Sequence, residues 1–221
     1  MKRDNLTEKV RQRLKRLPAP YDAHFGVVPE PPIQGFVTLT GAASHKAGMQ
    51  AFQQADQIAT LLPNHFPLSR VLVRQEAVNS SSIEGTHSTL DAVLESEEAD
   101  DGDATEDEAT TQVREYALAL ESALIEVQSS RRDGFTLELI QGLHKALMSN
   151  DPSYKDSPGR FREVVVWIGG DRIEHSTYNP TPPDDIASCM AEHIAYLRTD
   201  GMQPFEQSII LRLAIAHAHF E

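Results

Sequence analysis

The feature that most constrains this chain is a helical pattern over residues 72–94 that small residues interrupt. Val71, Val78 and Ser82 recur at helical spacing, which predicts one buried stripe. Three consecutive serines at residues 80–82 are poor helix interior, because their hydroxyls compete for backbone groups. Their small side chains favour the close approach of another backbone or a ligand. The pattern therefore predicts that the helix ends close to these serines.

Gly85 favours a left-handed residue just past the end of this helix. Thr86 or Ser88 can then cap a second helix, so the stretch predicts a helical hairpin. Glu84 falls in the last turn of the first helix, where the helix dipole disfavours a carboxylate. From the residues alone, two interpretations stay open: Glu84 is solvated, or it is aimed at an arginine elsewhere.

The composition is that of a globular chain with one or two domains. Of 221 residues, 40% are hydrophobic and 24% are charged. The single cysteine, Cys189, excludes an internal disulfide and a cysteine-rich metal site, and it favours a reducing compartment. The pattern predicts neither a signal peptide nor a membrane span. We therefore expect a cytoplasmic protein with no membrane partner and no metal ligands.

The net charge of −13 is unevenly distributed and argues against nucleic-acid binding. Nine acidic residues fall within residues 95–108, which leaves a net charge of −4 on the rest of the chain. This segment predicts a mobile surface loop without a fixed site. The first 16 residues are basic and favour a solvated helical face, with contact to the acidic segment or to a polyanion as alternatives.

The rest of the chain has mostly helical periodicity. Helices are predicted over residues 7–17, 36–59, 110–129 and 205–221, with further helices beginning near Thr136 and Asp184. The strand region is 161–181, where Gly169-Gly170 separates a β-branched run from a return strand at 172–178. The first strand contains Val164, Val165, Val166, Trp167 and Ile168. The predicted fold is mainly α, a helical bundle with one β-hairpin.

Ser80, Glu84 and Gly85 together resemble a known regulatory motif. Ser or Thr, three residues, Glu, and then Gly or Asn is the inhibitory-helix motif of Fic-domain proteins, most of which are protein adenylyltransferases. The flanking residues 75–78 and 81–86 are similar to the N-terminal domain of bacterial Fic proteins whose inhibitory helix precedes the core. Residues 159–162, 166–170 and 182–183 resemble the flap region of the Fic core.

Residues 214–221 resemble the helix that leads into the Fic active-site loop, HPFxxGNGRxxR. By this resemblance the loop histidine should follow Glu221 by about three residues, so the sequence is expected to be a truncated portion without catalytic residues and inactive alone. The resemblance divides the chain into a basic arm (1–28), a Fic N-terminal domain with inhibitory helix and acidic loop (29–109), and the N-terminal part of the Fic core (110–221).

The resemblance also implies an activity, the transfer of AMP from ATP to a Ser, Thr or Tyr hydroxyl of a target protein. ATP and Mg²⁺ would bind the complete protein, and neither would bind this chain tightly. Glu84 would pair with the last arginine of the loop and occupy the space of the γ-phosphate, braced by Ser80 and Ser82. The strand Val164–Ile168 would dock the target.

An alternative is a non-catalytic regulatory or binding module, or one half of a split protein, that places Glu84 in a partner's ATP site. Self-association is left open by the sequence. A helical scaffold with an accidental motif is a third interpretation.

Overall fold

Helices account for most of the computed structural model, which describes residues 1–36, 41–61, 67–98, 107–149, 151, 154, 157–199 and 207–220. Within these residues there are eight α-helices: α1 (Glu8–Arg11), α2 (Ala42–Leu61), α3 (Pro67–Ile83), α4 (Leu90–Glu98), α5 (Glu108–Ser130), α6 (Leu137–Met148), α7 (Pro183–Leu197) and α8 (Ile209–Phe220). One antiparallel hairpin pairs β1 (Leu14–Arg16) with β2 (Phe25–Val27). The predicted class, mainly α with one β-hairpin, is confirmed.

The chain forms two compact units. One combines Met1–His45 with Phe161–Glu221, and the other is Lys46–Arg160. The boundaries predicted at residues 28 and 109 follow a resemblance rather than compactness, and they stay predictions. No described helix combines the length and apolar character needed to cross a membrane.

The core of the Lys46–Arg160 unit lies where α3, α4 and α5 meet. Its fully buried apolar side chains are Ala77, Val93, Val113 and Ala117. The stripe predicted for α3 is partly wrong, because Ser82 is exposed and the buried positions are Arg74, Ala77 and Val78. One of the buried positions, Arg74, is charged, and a pattern of apolar residues therefore does not predict its burial.

Helix α2 forms where a helix is predicted, but its described apolar side chains are not buried in the core. Described residues of α2 include no buried side chain, and both Phe52 and Ile58 are exposed. Periodicity indicates an amphipathic helix and does not say whether another surface covers its apolar face.

Local capping rules succeed for α6 and fail for α4. The Leu139 amide donates to the Thr136 hydroxyl at 3.1 Å, so the predicted cap is confirmed. For α4 the cap is Thr89, whose hydroxyl accepts from the Ala92 amide at 3.1 Å. The expectation of a cap at Thr86 or Ser88 is wrong, and Ser88 instead hydrogen-bonds Thr110 through its hydroxyl.

The hairpin lies at the N-terminus, where a helix and a loop are predicted. Helix α1 ends at Arg11, and β1 and β2 pair as Leu14–Val27 to Arg16–Phe25. Asn179 completes the arrangement, because its carbonyl accepts from the Val27 amide and its side chain donates to the Phe25 carbonyl. This support comes from a segment about 150 residues away, so local propensity does not indicate it.

Basic residues of this arm are used locally. Arg13 donates to the carbonyls of Val28 and Pro29, and Lys15 pairs with Asp185. Lys9 pairs with Glu30. These contacts fix the hairpin to its own unit. The acidic segment, proposed as an alternative contact, lies outside the described residues over 99–106, whereas Glu95–Glu98 are helical in α4.

The strand region predicted at 161–181 is reduced to one antiparallel bridge between Ile168 and Tyr178. Residues 173–175 form a 3₁₀ turn instead of a return strand. The predicted Gly169-Gly170 turn is confirmed, since both residues have φ of +79°. An added Cβ on either glycine would fall within 2.7 Å of the returning chain, which explains why a tight turn needs both.

Helices α7 and α8 pack through polar as well as apolar side chains. The buried positions of α7 are Cys189, His193 and Tyr196, whereas the apolar side chains at helical spacing from Ile186 are only partly buried. The predicted last helix starts at Phe205 and ends at Glu221, both outside the described residues, and the observed α8 spans Ile209–Phe220.

Gln207 connects these helices to the N-terminal segment. It is buried, accepts from the Tyr196 hydroxyl at 2.6 Å, and donates to the Ile33 and Gly35 carbonyls at 2.8 and 2.9 Å. Because Gln207→Leu leaves these groups without partners, we expect a loss of about 2–3 kcal/mol in the free energy of unfolding. Urea denaturation checks this. Ser188→Ala, which removes an exposed hydroxyl, is the control, and an equal loss in both variants would contradict the prediction.

His193 and His219 join α7 to α8 through a hydrogen bond between their rings. Their Nδ1 atoms are 3.3 Å apart, the ring centroids are 5.4 Å apart, and the planes differ by 11°. The two distances differ by about two imidazole ring radii, so the nitrogens face each other edge to edge. One nitrogen donates and the other accepts, so the accepting ring must be neutral.

This pair makes stability fall in acid. Burial lowers the pKa of His193, as does the nearby His219, and burial also lowers the pKa of His219 against an opposing effect of Glu192. Arg162 and Tyr178 line the adjoining cavity. Below about pH 6.5 the unfolded chain takes up protons that the folded chain excludes. The free energy of unfolding is therefore highest above about pH 6.5 and declines below it.

The test is urea denaturation at about pH 7.5 and about pH 5.5. We expect the wild type to lose more stability between these values than His193→Leu does. His217→Leu, at an exposed position of α8, should keep the wild-type dependence. An identical pH dependence in the wild type and His193→Leu would contradict the prediction.

Candidate functional site

The end of α3 is shaped by a left-handed glycine. Gly85 has φ of +93°, its amide donates to the Ser82 carbonyl at 3.2 Å, and the Thr86 amide donates to the Ser81 carbonyl at 2.9 Å. This pair of bonds is the Schellman arrangement, which satisfies carbonyls that a helix end leaves open. Nothing lies within 4 Å of a Cβ added to Gly85, so the backbone angle rather than space requires glycine. The predicted left-handed stop is confirmed.

Glu84 is the capping residue of this helix end and its side chain is exposed. In the part of the chain that the structure describes, its carboxylate makes no hydrogen bond or ion pair. A negative charge beside helix carbonyls is disfavoured by the dipole, and α3 has no basic residue in its last turn to offset it. The carboxylate is therefore available to a cation brought to this position.

The neighbouring serines do not brace Glu84. The Ser80 hydroxyl donates to Glu76 Oε1 at 2.9 Å, and the Ser82 hydroxyl lies 3.5 Å from His87 Nδ1. Each hydroxyl is thus engaged with a different partner, and the expectation that both support Glu84 is wrong. Ser80, Glu84 and Gly85 nevertheless lie close together in sequence, on the last turn of α3 and at its cap.

In the predicted flap, residues 164–168, exposed and partly buried side chains alternate. Val164, Val166 and Ile168 are 52%, 37% and 58% exposed, whereas Val165 and Trp167 are half-buried, Trp167 against Tyr21 at a ring distance of 5.7 Å. Among described residues, no backbone amide of residues 164–167 donates to another backbone carbonyl. The segment therefore presents an unpaired edge with an apolar face.

Arg162 holds the base of this segment. It donates to the Val164 carbonyl at 3.0 Å and to the Thr181 carbonyl, and burial lowers the pKa of its guanidinium. With the Ile168–Tyr178 bridge, Arg162 ties the segment down at both ends. The middle of the segment stays free to pair.

Sequence reasoning missed the charged centre of the Lys46–Arg160 unit. Arg74 Nε donates to Glu97 Oε1 at 2.9 Å, and Arg74 Nη1 donates to Glu121 Oε2 at 2.8 Å. Burial opposes the charge on Arg74, but hydrogen bonds and charges of both glutamates raise its pKa overall. The sequence feature that indicates this charged cluster is an arginine three residues before Ala77, within a stripe of apolar residues.

His144 of α6 has a structural role. Its Nδ1 accepts from the Gly159 amide at 2.8 Å, and Tyr154 contacts its ring edge-on at 5.5 Å. It therefore joins α6 to the segment that follows it.

These features define a helical domain in which α3 ends at an exposed carboxylate. Residues 43–125 match the model of the Fic/DOC family N-terminal region. That match contains α3, α4, the motif Ser80–Gly85 and most of α5. The chain thus contains a Fic/DOC family N-terminal region, as the motif indicated. No curated protein matches the chain.

Proposed function

We propose that this chain is the regulatory and target-docking portion of a self-inhibited protein adenylyltransferase. The observation that carries the proposal is the position of Glu84, an exposed carboxylate at the end of α3 within the Fic N-terminal region. The reaction moves AMP from ATP to a Ser, Thr or Tyr hydroxyl of a target protein and releases pyrophosphate. A cytoplasmic location fits the single, buried cysteine.

The contribution of Glu84 is electrostatic and steric. A carboxylate in the γ-phosphate position repels the phosphate and pairs with the arginine that would otherwise hold it. The residues that carry the resemblance in this chain are not a phosphate- or Mg²⁺-binding set; those ligands belong to the loop HPFxxGNGR of the family. What this chain supplies is the group that blocks productive ATP binding.

The contribution of the segment Val164–Ile168 is docking. Its unpaired backbone edge can add a strand from the target, and main-chain bonds would position the hydroxyl with little demand on sequence. The exposed side chains Val164, Val166 and Ile168 offer an apolar surface to that strand. Homo-oligomer formation stays a prediction.

The test measures transfer of label from α-labelled ATP. We expect none from the 221-residue chain, and transfer to protein from a version that carries the loop. In that version Val166→Lys should lower labelling of target proteins, while Ala187→Lys, at an exposed position of α7, should not. Label transfer by the chain alone, or none by a loop-bearing Glu84→Gly version, would refute the proposal. The second result would favour a regulatory module without catalysis.

A further inference from the structure

Arg74 is the most deeply buried charged side chain among the described residues. It is 0% exposed, and the side chains of its partners Glu97 and Glu121 are 15% and 33% exposed. Arg70, one turn earlier on α3, approaches the same two glutamates at 3.5 and 3.8 Å but is 63% exposed. The two arginines therefore share partners and differ in burial and geometry.

A buried ion cluster of this kind contributes little to stability by itself. Transferring three charges from water to the protein interior costs about as much free energy as their mutual attraction contributes. Apolar side chains of similar size often give a fold of equal stability. Among the described residues, Arg74 Nη2 is in addition buried without a hydrogen-bond partner. Such a cluster has a structural use where its directional hydrogen bonds select one arrangement of the helices over several others.

The guanidinium fork provides that direction. Two of its nitrogens bond to Glu97 on α4 and to Glu121 on α5, so α3 can neither rotate nor slide without breaking both bonds. The apolar neighbours Ala77, Val78 and Val93 are small or β-branched and tolerate a rotated packing more easily than the fork does. Arg74 thus determines the rotation and register of α3.

Helix α3 carries this constraint to the site. Arg74 and Glu84 are joined by continuous helix as far as Ile83, a distance of about 15 Å along the axis. We propose that Arg74 is a positioning residue that, through Glu97 and Glu121, fixes where α3 places the Glu84 carboxylate. The inhibitory part of this inference rests on the proposed function.

The test compares a charged and an apolar centre in the 221-residue chain. The variant Arg74→Met/Glu97→Leu/Glu121→Leu keeps the core filled and should fold, since such replacements preserve stability elsewhere. Spin labels at Glu84→Cys on α3 and Ser129→Cys on α5, in a Cys189→Ala background, report the distance distribution by pulsed electron resonance. We expect about a twofold broader distribution in the apolar variant than in the parent.

Control variants distinguish a loss of α3 positioning from a general loosening of the fold. Arg70→Met should leave the distribution unchanged, and Arg74→Lys, which retains charge but not the fork, should give an intermediate width. A second label pair at Ser129→Cys and Glu138→Cys, reporting α5 against α6, should not broaden in any variant. If the Glu84–Ser129 distribution stays narrow in the apolar variant, the positioning role is overturned.

Transfer activity then tests the link to inhibition. In a loop-bearing protein the apolar variant should raise AMP transfer as Glu84→Gly does, and it should add nothing in the Glu84→Gly background. Broadening without any transfer, even from Glu84→Gly, would refute the proposed function and leave the positioning role standing. Broadening with transfer that stays inhibited would overturn the inhibitory part of the inference.

Discussion

Glu84→Gly in a loop-bearing version of this protein is expected to raise self-modification by AMP about 5- to 150-fold, the range of typical regulatory coupling energies. The physical reason is that the substitution frees both the space and the arginine that the γ-phosphate requires. The measurement is the initial rate of label incorporation from α-labelled ATP at fixed ATP concentration.

Two further variants make this result specific. Glu84→Gln keeps the shape of the side chain and removes its charge, so it should activate partly if electrostatics contribute. Glu76→Gln removes a carboxylate from the same helix, one that bonds only Ser80 among described residues, and should leave the rate unchanged. Equal rates for the wild type and Glu84→Gly would contradict the inhibitory assignment.

Arg74→Met alone is expected to lower the free energy of unfolding by about 3–5 kcal/mol, the cost of removing one partner from a buried charge cluster. In the part of the chain that the structure describes, the substitution leaves Glu97 and Glu121 with no cation between them except the exposed Arg70. Urea denaturation followed by circular dichroism measures the change.

Arg70→Met is the matched control for this stability prediction. Because Arg70 is mostly exposed and its contacts are long, its loss should cost at most about 1 kcal/mol. A similar cost for both arginines would show that water reaches the cluster and that burial of Arg74 does not determine its contribution.

The parts of the fold that the sequence predicts are those decided by local interactions. Helix α6 begins after Thr136 because one hydroxyl caps one amide, and α3 ends at Gly85 because only glycine adopts that backbone angle easily. Helix α5 follows from the spacing of Val113 and Ala117. Each of these signals lies within a few residues of the structure it predicts.

The failures have remote causes. The pairing of β1 with β2 depends on Asn179, and the loss of a second strand at 172–178 follows from the 3₁₀ turn that places Ile173 in the core. The buried face of α7 contains His193 and Tyr196, which find partners on α8 and at Gln207. Propensity and periodicity do not include these distant contacts.

The candidate site shows the same division. A sequence motif locates Glu84 on a helix end, and the structure agrees that this end is exposed. The buried Arg74, by contrast, resembles any surface arginine until Glu97 and Glu121 are seen around it. A charged residue inside an apolar stripe is the one sign that would have suggested it.

The alternating segment Val164–Ile168 has a consequence for the protein in concentrated solution. Backbone amides that have no backbone partner among the described residues, next to exposed valine and isoleucine side chains, can pair with the same segment of another copy. Mutual repulsion between chains of net charge −13 opposes that association, and about 0.1 M salt screens this repulsion between charges more than about 10 Å apart. High ionic strength should therefore promote precipitation of a protein that stays dispersed in dilute buffer.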